Sequence, residues 1–159
     1  HIAYINISEK YNFANERKSS FLKNLKLNKI NFNPNYYASV KLEEPENSFE
    51  VIKKMLTKNK KISAIICSTE FSALSAIKAC NDLNYKIGKD ISIITFDGAL
   101  VRDLSSPPIT AVSFPVKELG KRAINILLDK NKNKNQSINY LAKSEIIERG
   151  SVHIVSQKI

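Results

Sequence analysis

The sequence has no tryptophan and only four glycines, two cysteines and two histidines among its 159 residues. With so few glycines it contains no Gly-rich phosphate-binding loop, which excludes the usual nucleotide-binding signatures. His1 and His153 lie near the two ends, and Cys67 and Cys80 stand far apart with no CxxC spacing. This pattern favours neither a metal site nor a disulfide framework. We therefore expect no metal, no cofactor, and two buried packing cysteines in a reducing compartment.

Long hydrophobic runs are absent as well. The longest uncharged, largely apolar stretches, such as Ile62–Cys67 and Ile91–Phe96, are far shorter than the ~20 residues of a transmembrane helix. Hydrophobic residues make up 43% of the chain and charged residues 25%, which is typical of a globular domain. No leader-like segment opens the sequence. We expect one cytoplasmic domain that does not contact a membrane.

The charge is strongly positive, with 25 lysines and arginines against 15 aspartates and glutamates and a net charge of +10. Such a balance can indicate nucleic-acid binding. Only four of the basic residues are arginines, however, and arginine is the usual reader of base edges. The composition therefore favours a solvated lysine-rich surface over a specific DNA-binding groove.

Hydrophobic patterning alternates between short buried strands and amphipathic helices. This order predicts an α/β fold with a doubly wound, mostly parallel sheet. The predicted strands are Ile2–Ile7, Tyr36–Leu42, Ile62–Cys67 and Ile91–Phe96, with a last extended segment at Ile138–Ile147. The predicted helices are Ala14–Leu27, a segment after Pro45, Thr69–Leu83 and Val116–Leu128. Ser105–Pro108 is predicted to be a linker because residues before proline are pushed into extended conformations, and Lys130–Ser137 a solvated loop.

Polar residues follow three of the predicted strands. In an open parallel sheet, ligands bind beyond the carboxyl ends of the strands, and Asn6–Arg17, Ser68–Glu70 and Phe96–Gly98 occupy such positions. Asp97 comes directly after a buried strand and could accept hydrogen bonds from ligand hydroxyls. The alternative is a turn aspartate that caps its own backbone. The residues alone leave both interpretations open.

Two sequence blocks are recognisable. They are Lys86–Asp97 and Ser106–Val112, the second followed by Glu118–Ala123. Their order and spacing closely resemble the effector-binding core of the lactose-repressor (LacI/GalR) family of bacterial transcription regulators. The resemblance extends through Ala64–Cys67 with Ala73–Ile77 and through Arg17–Phe21, so it covers essentially the whole chain.

The resemblance implies one lobe of a type I periplasmic-binding-protein-like fold plus a crossing helix. The main lobe would comprise residues 1–109 and 138–159, and the crossing segment 110–137 would pack on an N-terminal lobe that this chain lacks. An apolar stripe of that helix is then expected to be exposed or rearranged in the fragment. Its members are Val116, Leu119, Ala123, Ile126 and Leu127. Operator DNA would be contacted only through the family's N-terminal helix-turn-helix, which is also missing.

The resemblance also implies the ligand-binding residues. Arg17 matches the arginine that contacts the effector, Asp97 the acidic residue that pairs with sugar hydroxyls or a ligand N–H, and Thr69 a frequent ligand contact. Phe96 and Phe114 would add an apolar or stacking wall, and the effector would be a sugar or a nucleobase-like compound. The structural alternatives are a solvated helix charge for Arg17 and a plain helix cap for Thr69. Departures from the family pattern at Thr69-Glu70, Thr95 and Gly98 leave the effector unidentified.

The predicted helix Thr69–Leu83 has two apolar faces. One face carries Ala73, Ala76, Ile77, Cys80 and Leu83, and the other carries Phe71, Leu74 and Lys78. The first face is expected to cover the sheet and the second to contact another copy of the chain in a homodimer. The alternative is that Phe71 and Leu74 are singly exposed apolar residues, which are common on protein surfaces.

These observations favour a non-enzymatic, effector-binding and dimerising part of a cytoplasmic transcriptional repressor. Two alternatives stay open. An extracytoplasmic sugar-binding protein of an import system has a related fold, and an α/β enzyme could carry an unrecognised site.

Overall fold

Strands and helices alternate along most of the chain in the structure, a computed structural model that describes residues 1–41, 44–97, 104–130 and 139–153. The elements, in chain order, are β1 (Ile2–Ile7), α1 (Asn12–Leu27), β2 (Tyr37–Val40), α2 (Pro45–Lys58), β3 (Ala64–Cys67), α3 (Glu70–Asp82), β4 (Ser92–Phe96), β5 (Thr110–Ser113), α4 (Val116–Lys130) and β6 (Glu145–Ile147). A single 3-10 turn, Pro34–Tyr36, precedes β2.

One six-stranded sheet connects these elements in the order β2-β1-β3-β4-β5-β6. The first five strands are parallel, with Ile5 opposite Cys67 and Cys67 opposite Thr95, and β6 joins the edge in the antiparallel direction. β2 lies on one side of β1 and β3 lies on the other, so the connections from β1 to β2 and from β2 to β3 run in opposite directions across the sheet. The predicted mostly parallel α/β sheet is therefore confirmed.

Helices cover both faces of the sheet, as a doubly wound fold requires. Strand residues alternate between the faces, so Ile5 and Ile7 pack with α2 and α3, whereas Tyr4 packs with α1. On the α1 face, the rings of Tyr4 and Phe21 are stacked with their centroids 4.6 Å apart. The larger apolar core lies on the α2 and α3 face, and both cysteines are buried in it, as predicted.

The sheet continues beyond residue 109, where the sequence placed the start of the crossing segment. Ile109 is fully buried, and Thr110–Ser113 pairs with β4 as the fifth strand. The predicted linker Ser105–Pro108 therefore leads into the sheet, and a crossing segment can begin only after Ser113. Residues 131–137 of the predicted loop, Gly98, and residues 154–159 of the predicted lobe lie outside the described residues, whereas Lys130 is the last residue of helix α4.

Helix α4 contributes little to the core. Its apolar side chains are largely exposed, with Val116 at 71% and Leu127 at 62% of their full accessibility. Of the predicted stripe, Ile126 is half-buried and the other four members are exposed. Within the described residues, the helices are too short or too polar to cross a membrane.

Candidate functional site

The carboxyl ends of β1, β3 and β4 meet at the point where the chain changes direction around β1. Parallel sheets bind ligands at such a switch point because adjacent connections there turn to opposite faces and leave a crevice. Ser8 follows β1, Ser68 follows β3 and Asp97 follows β4. Register pairs Ile5 with Cys67, so Asn6 and Ser68 come next to each other at this edge.

Arg17 on α1 reaches across this edge. Its Nη1 donates a hydrogen bond to the Ser68 carbonyl oxygen, which fixes the guanidinium over the end of β3. The guanidinium carbon lies 4.3 Å from the ring centroid of Phe96, and the rings of Phe13 and Phe114 follow at 5.0 and 5.8 Å. Aromatic faces attract a cation at these distances. The structure thus brings together three of the predicted site residues, Arg17, Phe96 and Phe114.

The electrostatics of Arg17 also involve Asp97. Burial of the guanidinium lowers the pKa of Arg17, and the negative charge of Asp97 opposes this effect. An arginine at such a position stays protonated because its ordinary pKa is so high. The site therefore holds a fixed positive group with a carboxylate close enough to act on it.

Asp97 is held by its backbone and not by burial. Its φ of +74° lies in the left-handed region, which aspartate visits more readily than most residues. Its backbone N–H donates to the Val112 carbonyl at 2.9 Å, which ties the end of β4 to β5. The residue itself is exposed at the mouth of the crevice. This placement leaves the carboxylate accessible to a ligand.

Thr69 caps helix α3, as the structural alternative predicted. Its hydroxyl oxygen accepts a hydrogen bond from the Ser72 backbone N–H at 3.2 Å. The Ser72 hydroxyl oxygen in turn accepts from the Thr69 backbone N–H at 3.2 Å, which completes a capping box. Thr69 stands at the same edge as Arg17, but its hydroxyl already has a structural partner.

Three polar atoms on β1 and directly after β3 are buried. Tyr4 Oη, Asn6 Oδ1 and Ser68 Oγ are buried, and they have no hydrogen-bond partner among the described residues. A cavity of about 380 Å³ between α1 and the sheet is lined by Tyr4, Arg17, Phe96 and neighbouring side chains. Buried polar atoms normally have a hydrogen-bond partner, and of these three residues only Tyr4 lines the cavity. Asn6 and Phe13 lie within the predicted segment Asn6–Arg17 but were not singled out, and Tyr4 was missed, although the alternation in β1 puts Tyr4 and Asn6 on one face.

A hydrogen-bonded network fixes the connection from β1 to α1. Lys18 and the Tyr37 hydroxyl both donate to the Glu9 carboxylate, the latter at 2.7 Å, and the Asn6 side chain donates to the Ala14 carbonyl at 3.2 Å. These bonds hold the pKa of Glu9 below its ordinary value and the pKa of Lys18 above its own. The network restrains the connection that carries Phe13 beside Arg17.

The second predicted surface lies on α3, on the side away from the core. Leu74 is 37% exposed, Lys78 is exposed and Phe71 is half-buried. Together with residues of α2 these side chains line a groove of about 720 Å³. Lys78 Nζ lies 3.6 Å from the ring centroid of Phe49, so a cation–π contact joins α3 to α2 in this groove, which Glu46 and Glu50 also line.

The fold has well-defined relatives. The periplasmic binding protein-like domain family matches residues 1–152. The transcriptional repressor PurR of Haemophilus influenzae is 29% identical over 133 residues, which cover 84% of this chain and 39% of that protein. The transcriptional regulator RegA of Clostridium saccharobutylicum is 32% identical over 117 residues, covering 73% of this chain and 34% of RegA.

The crystal structure of the Escherichia coli transcriptional repressor AscG superimposes with a TM-score of 0.84 at 23% identity, covering 96% of this chain and 55% of that one, and shares its fold. The chain thus spans roughly two fifths or less of the two curated relatives and about half of the solved structure. The family match covers nearly the whole chain, and the relatives named above are transcriptional regulators. Both findings support the resemblance seen in the sequence. The chain belongs to the periplasmic binding protein-like domain family and resembles the corresponding domain of LacI/GalR-type transcriptional regulators.

Proposed function

We propose that this domain binds a small polar effector at the carboxyl edge of its sheet and serves as the sensing part of a cytoplasmic bacterial transcriptional repressor, without catalysing a reaction. The observation that carries the proposal is the Arg17 guanidinium, held over the Ser68 carbonyl and surrounded by Phe13, Phe96 and Phe114. A guanidinium fixed in this way offers directed N–H donors to a ligand oxygen or ring nitrogen. Asp97 supplies an exposed acceptor at the same edge.

The chemistry of this edge suits a sugar or a nucleobase-like compound. Both ligand types combine a flat apolar surface, which can lie against Phe96 or Phe114, with donors and acceptors in a fixed pattern. Arg17 would meet an acceptor and Asp97 a hydroxyl or N–H group. Thr69 would act mainly through the position it gives α3.

A ligand titration of the ¹⁵N-labelled domain tests the binding site. Hypoxanthine, ribose and cellobiose serve as probes at millimolar concentration, and we expect one of them to shift the backbone amide signals of Ser68, Phe96 and Asp97. Arg17→Gln should abolish these shifts, whereas Lys23→Gln, an exposed lysine on the same helix, should leave them unchanged. Shifts confined to residues elsewhere in the domain would contradict the proposed site.

Homodimerisation through α3 is the second part of the proposal. Thr69, the N-cap of helix α3, directly follows Ser68, whose carbonyl Arg17 contacts, and the helix presents Leu74 and Lys78 on its outer face. A movement of its first turn on effector binding would therefore be transmitted to the dimer surface. Effectors act on such a system by changing the relative populations of two arrangements.

Sedimentation velocity tests this surface. Leu74→Asp should convert a dimer to a monomer, because the charge would lie within the apolar groove. Leu27→Asp is the matched control, since Leu27 is 68% exposed at the end of α1, which covers the opposite face of the sheet. An unchanged mass for Leu74→Asp relative to a dimeric parent would remove this residue from the interface.

The exposed face of α4 supports the last part of the proposal. We assign this helix to a contact with an N-terminal lobe outside this chain. The curated relatives are more than twice as long as the segment that this chain matches, which leaves enough residues for such a lobe. DNA binding would then belong to a helix-turn-helix outside this chain. In a longer protein that includes such a lobe, Val116 and Leu127 should become protected from solvent, and hydrogen exchange of α4 measures this protection.

A further inference from the structure

The edge of the sheet opposite the effector site is rich in lysine. At this amino edge, three connections lead from a helix into the next strand. Counted with the last turn of each helix, they comprise residues 24–36, 55–63 and 80–91. They carry Lys26, Lys29, Lys58, Lys60, Lys61, Lys86 and Lys89. The same segments contain two carboxylates, Asp82 and Asp90, so their net charge is +5.

The carboxyl edge has the opposite balance. Residues 8–18, 41, 44–46, 68–70 and 97 hold four basic and six acidic side chains, a net charge of −2. The excess positive charge of the domain is thus unevenly distributed. A uniformly lysine-rich surface would not separate the two edges in this way.

The seven lysines are not neutralised by neighbours in the described part of the chain. All seven are exposed, and their ammonium groups form no ion pair with described residues. The Asp82 carboxylate pairs with Lys53 at 3.0 Å, and the Asp90 carboxylate accepts the Lys86 backbone N–H at 2.8 Å. Lys26 and Lys58 also stabilise the negative ends of α1 and α2. That role does not account for the five lysines in the connections.

The three connections form a continuous strip. The Asn59 side chain donates to the Asn35 carbonyl at 3.2 Å, and the Ser92 N–H donates to the Ser63 carbonyl at 2.9 Å, which links each connection to the next. Three strand spacings separate β2 from β4, or about 14 Å. Duplex DNA carries one phosphate charge per ~1.7 Å of its axis, so about eight phosphates fall within this length.

We propose that the lysine strip at the amino edge binds the phosphate backbone of duplex DNA without sequence preference. The lysine ammonium group is a compact positive charge that pairs with a phosphate group. Recognition of base edges relies instead on the planar guanidinium group of arginine. An acidic protein is a poorer fit, because the centres of protein interfaces are depleted of charged residues. The strip lies at the opposite edge from Arg17, so its binding is independent of the effector site.

Fluorescence anisotropy with a labelled 20-bp duplex of random sequence, between 50 and 200 mM KCl, tests the strip. The triple variant Lys60→Gln, Lys61→Gln, Lys89→Gln should reduce the slope of log K against log salt by about 2 to 3, since each lost phosphate contact lowers it by ~0.9. Its affinity at 100 mM KCl should fall at least about tenfold. The matched control replaces Lys117, Lys121 and Lys143 by glutamine, which removes the same charge away from this edge and should leave the slope nearly unchanged.

Equal effects of the two triple variants would overturn the proposal, because they would show a diffuse charge effect. Absence of binding at 50 mM KCl would overturn it as well, and so would binding to polyglutamate in preference to the duplex. Circular dichroism melting of both variants establishes that they are folded. Arg17→Gln, which removes the effector contact, should bind the duplex as the parent does.

Discussion

Thr69, a single residue at the carboxyl edge, has a structural role that can be measured apart from the proposed ligand binding. Its hydroxyl caps α3 through Ser72. Thr69→Ala should therefore lower the free energy of unfolding by about 1 kcal/mol, the usual cost of a lost N-cap. Thr69→Ser keeps the oxygen and should lie close to the parent. Urea denaturation measures both, and equal stability of the alanine variant would contradict a capping role.

The backbone conformation of Gly88 and the space around it exclude a side chain. Its φ is +80°, and a Cβ at this position would lie 2.2 Å from the Gly150 carbonyl oxygen. Gly88→Ala should lower the free energy of unfolding by more than about 1 kcal/mol, because both the left-handed backbone and the contact with fixed backbone oppose it.

Gly120 provides the control for this substitution. It lies within α4, and a Cβ there meets no atom within 4 Å. Gly120→Ala should raise the free energy of unfolding by roughly 0.5–1 kcal/mol, the difference in helix propensity. The same urea series measures both variants, and a similar effect of the two substitutions would be inconsistent with the close approach at Gly88.

The sequence predicted part of the site at this scale. Arg17, Phe96 and Asp97 could be placed together because the carboxyl ends of parallel strands meet at one edge, and the family resemblance supplied Phe114. Phe13 and the Ser68 carbonyl could not be found in this way. The direction of the Arg17 side chain depends on where α1 crosses the sheet, and this crossing is fixed by the packing of Phe21 on Tyr4.

At the scale of elements, the strands and helices were predictable from their apolar periodicity, and their ends were less so. Ile62 and Ser63 are buried or half-buried like strand residues, yet β3 begins at Ala64, where pairing with β1 starts. Helix α3 was predicted one residue longer at each end than it is, since its two caps were included.

The fifth strand shows the limit of sequence patterning. Pro107 and Pro108 indicated a break in the chain, and four residues are too few to establish a period. What makes Thr110–Ser113 a strand is its pairing on both sides, with β4 and with β6. The Ser151 hydroxyl adds a tertiary contact by accepting the Thr110 N–H at 2.8 Å and donating to the Ile93 carbonyl at 2.6 Å. Contacts between residues so distant in sequence are not visible in a local pattern.

The exposure of α4 leads to a prediction for the isolated domain. Val116→Gln and Leu127→Gln should change the free energy of unfolding by less than about 0.5 kcal/mol, as expected for exposed positions. Ile52→Ala, in the fully buried part of α2, should cost about 2–5 kcal/mol. Guanidinium denaturation compares the three variants. A large loss at Val116 or Leu127 would show that the α4 stripe is covered in solution, for example by self-association, and sedimentation would identify that state.

At the scale of the whole molecule, the sheet divides the surface into regions with different chemistry. The carboxyl edge carries the acidic excess and the Arg17 site, the outer face of α3 carries the apolar groove, and the amino edge carries the lysine strip. Net charge alone could not reveal this division, because it depends on which connections the topology brings to one edge. Lysines dominate the strip, and the prediction from composition that the chain does not read DNA bases through arginine stays a prediction.

The two buried thiols report on the integrity of this whole core. Burial raises the pKa of Cys80 to about 12, and burial also raises that of Cys67, which is completely enclosed. Both thiols should therefore be unreactive toward a disulfide reagent in the native protein at pH 8 and should react when urea unfolds the chain. Rapid labelling of either cysteine without denaturant would contradict the observed packing.

The same pKa shifts predict how stability depends on pH. A thiol in the unfolded chain loses its proton above a pH of about 8.5, whereas in the folded protein both thiols keep theirs. The unfolded state then binds fewer protons than the native state, so the free energy of unfolding falls as the pH rises beyond that value. Between pH 9 and pH 10 the loss should approach about 1.4 kcal/mol for each thiol.

Urea denaturation of the parent and of the Cys67→Ala, Cys80→Ala double variant separates this effect from lysine and tyrosine titration, because those groups are common to both. We expect a clearly flatter pH dependence of the free energy of unfolding for the double variant. Parallel pH curves for the two proteins would mean that folding does not raise the pKa of either thiol.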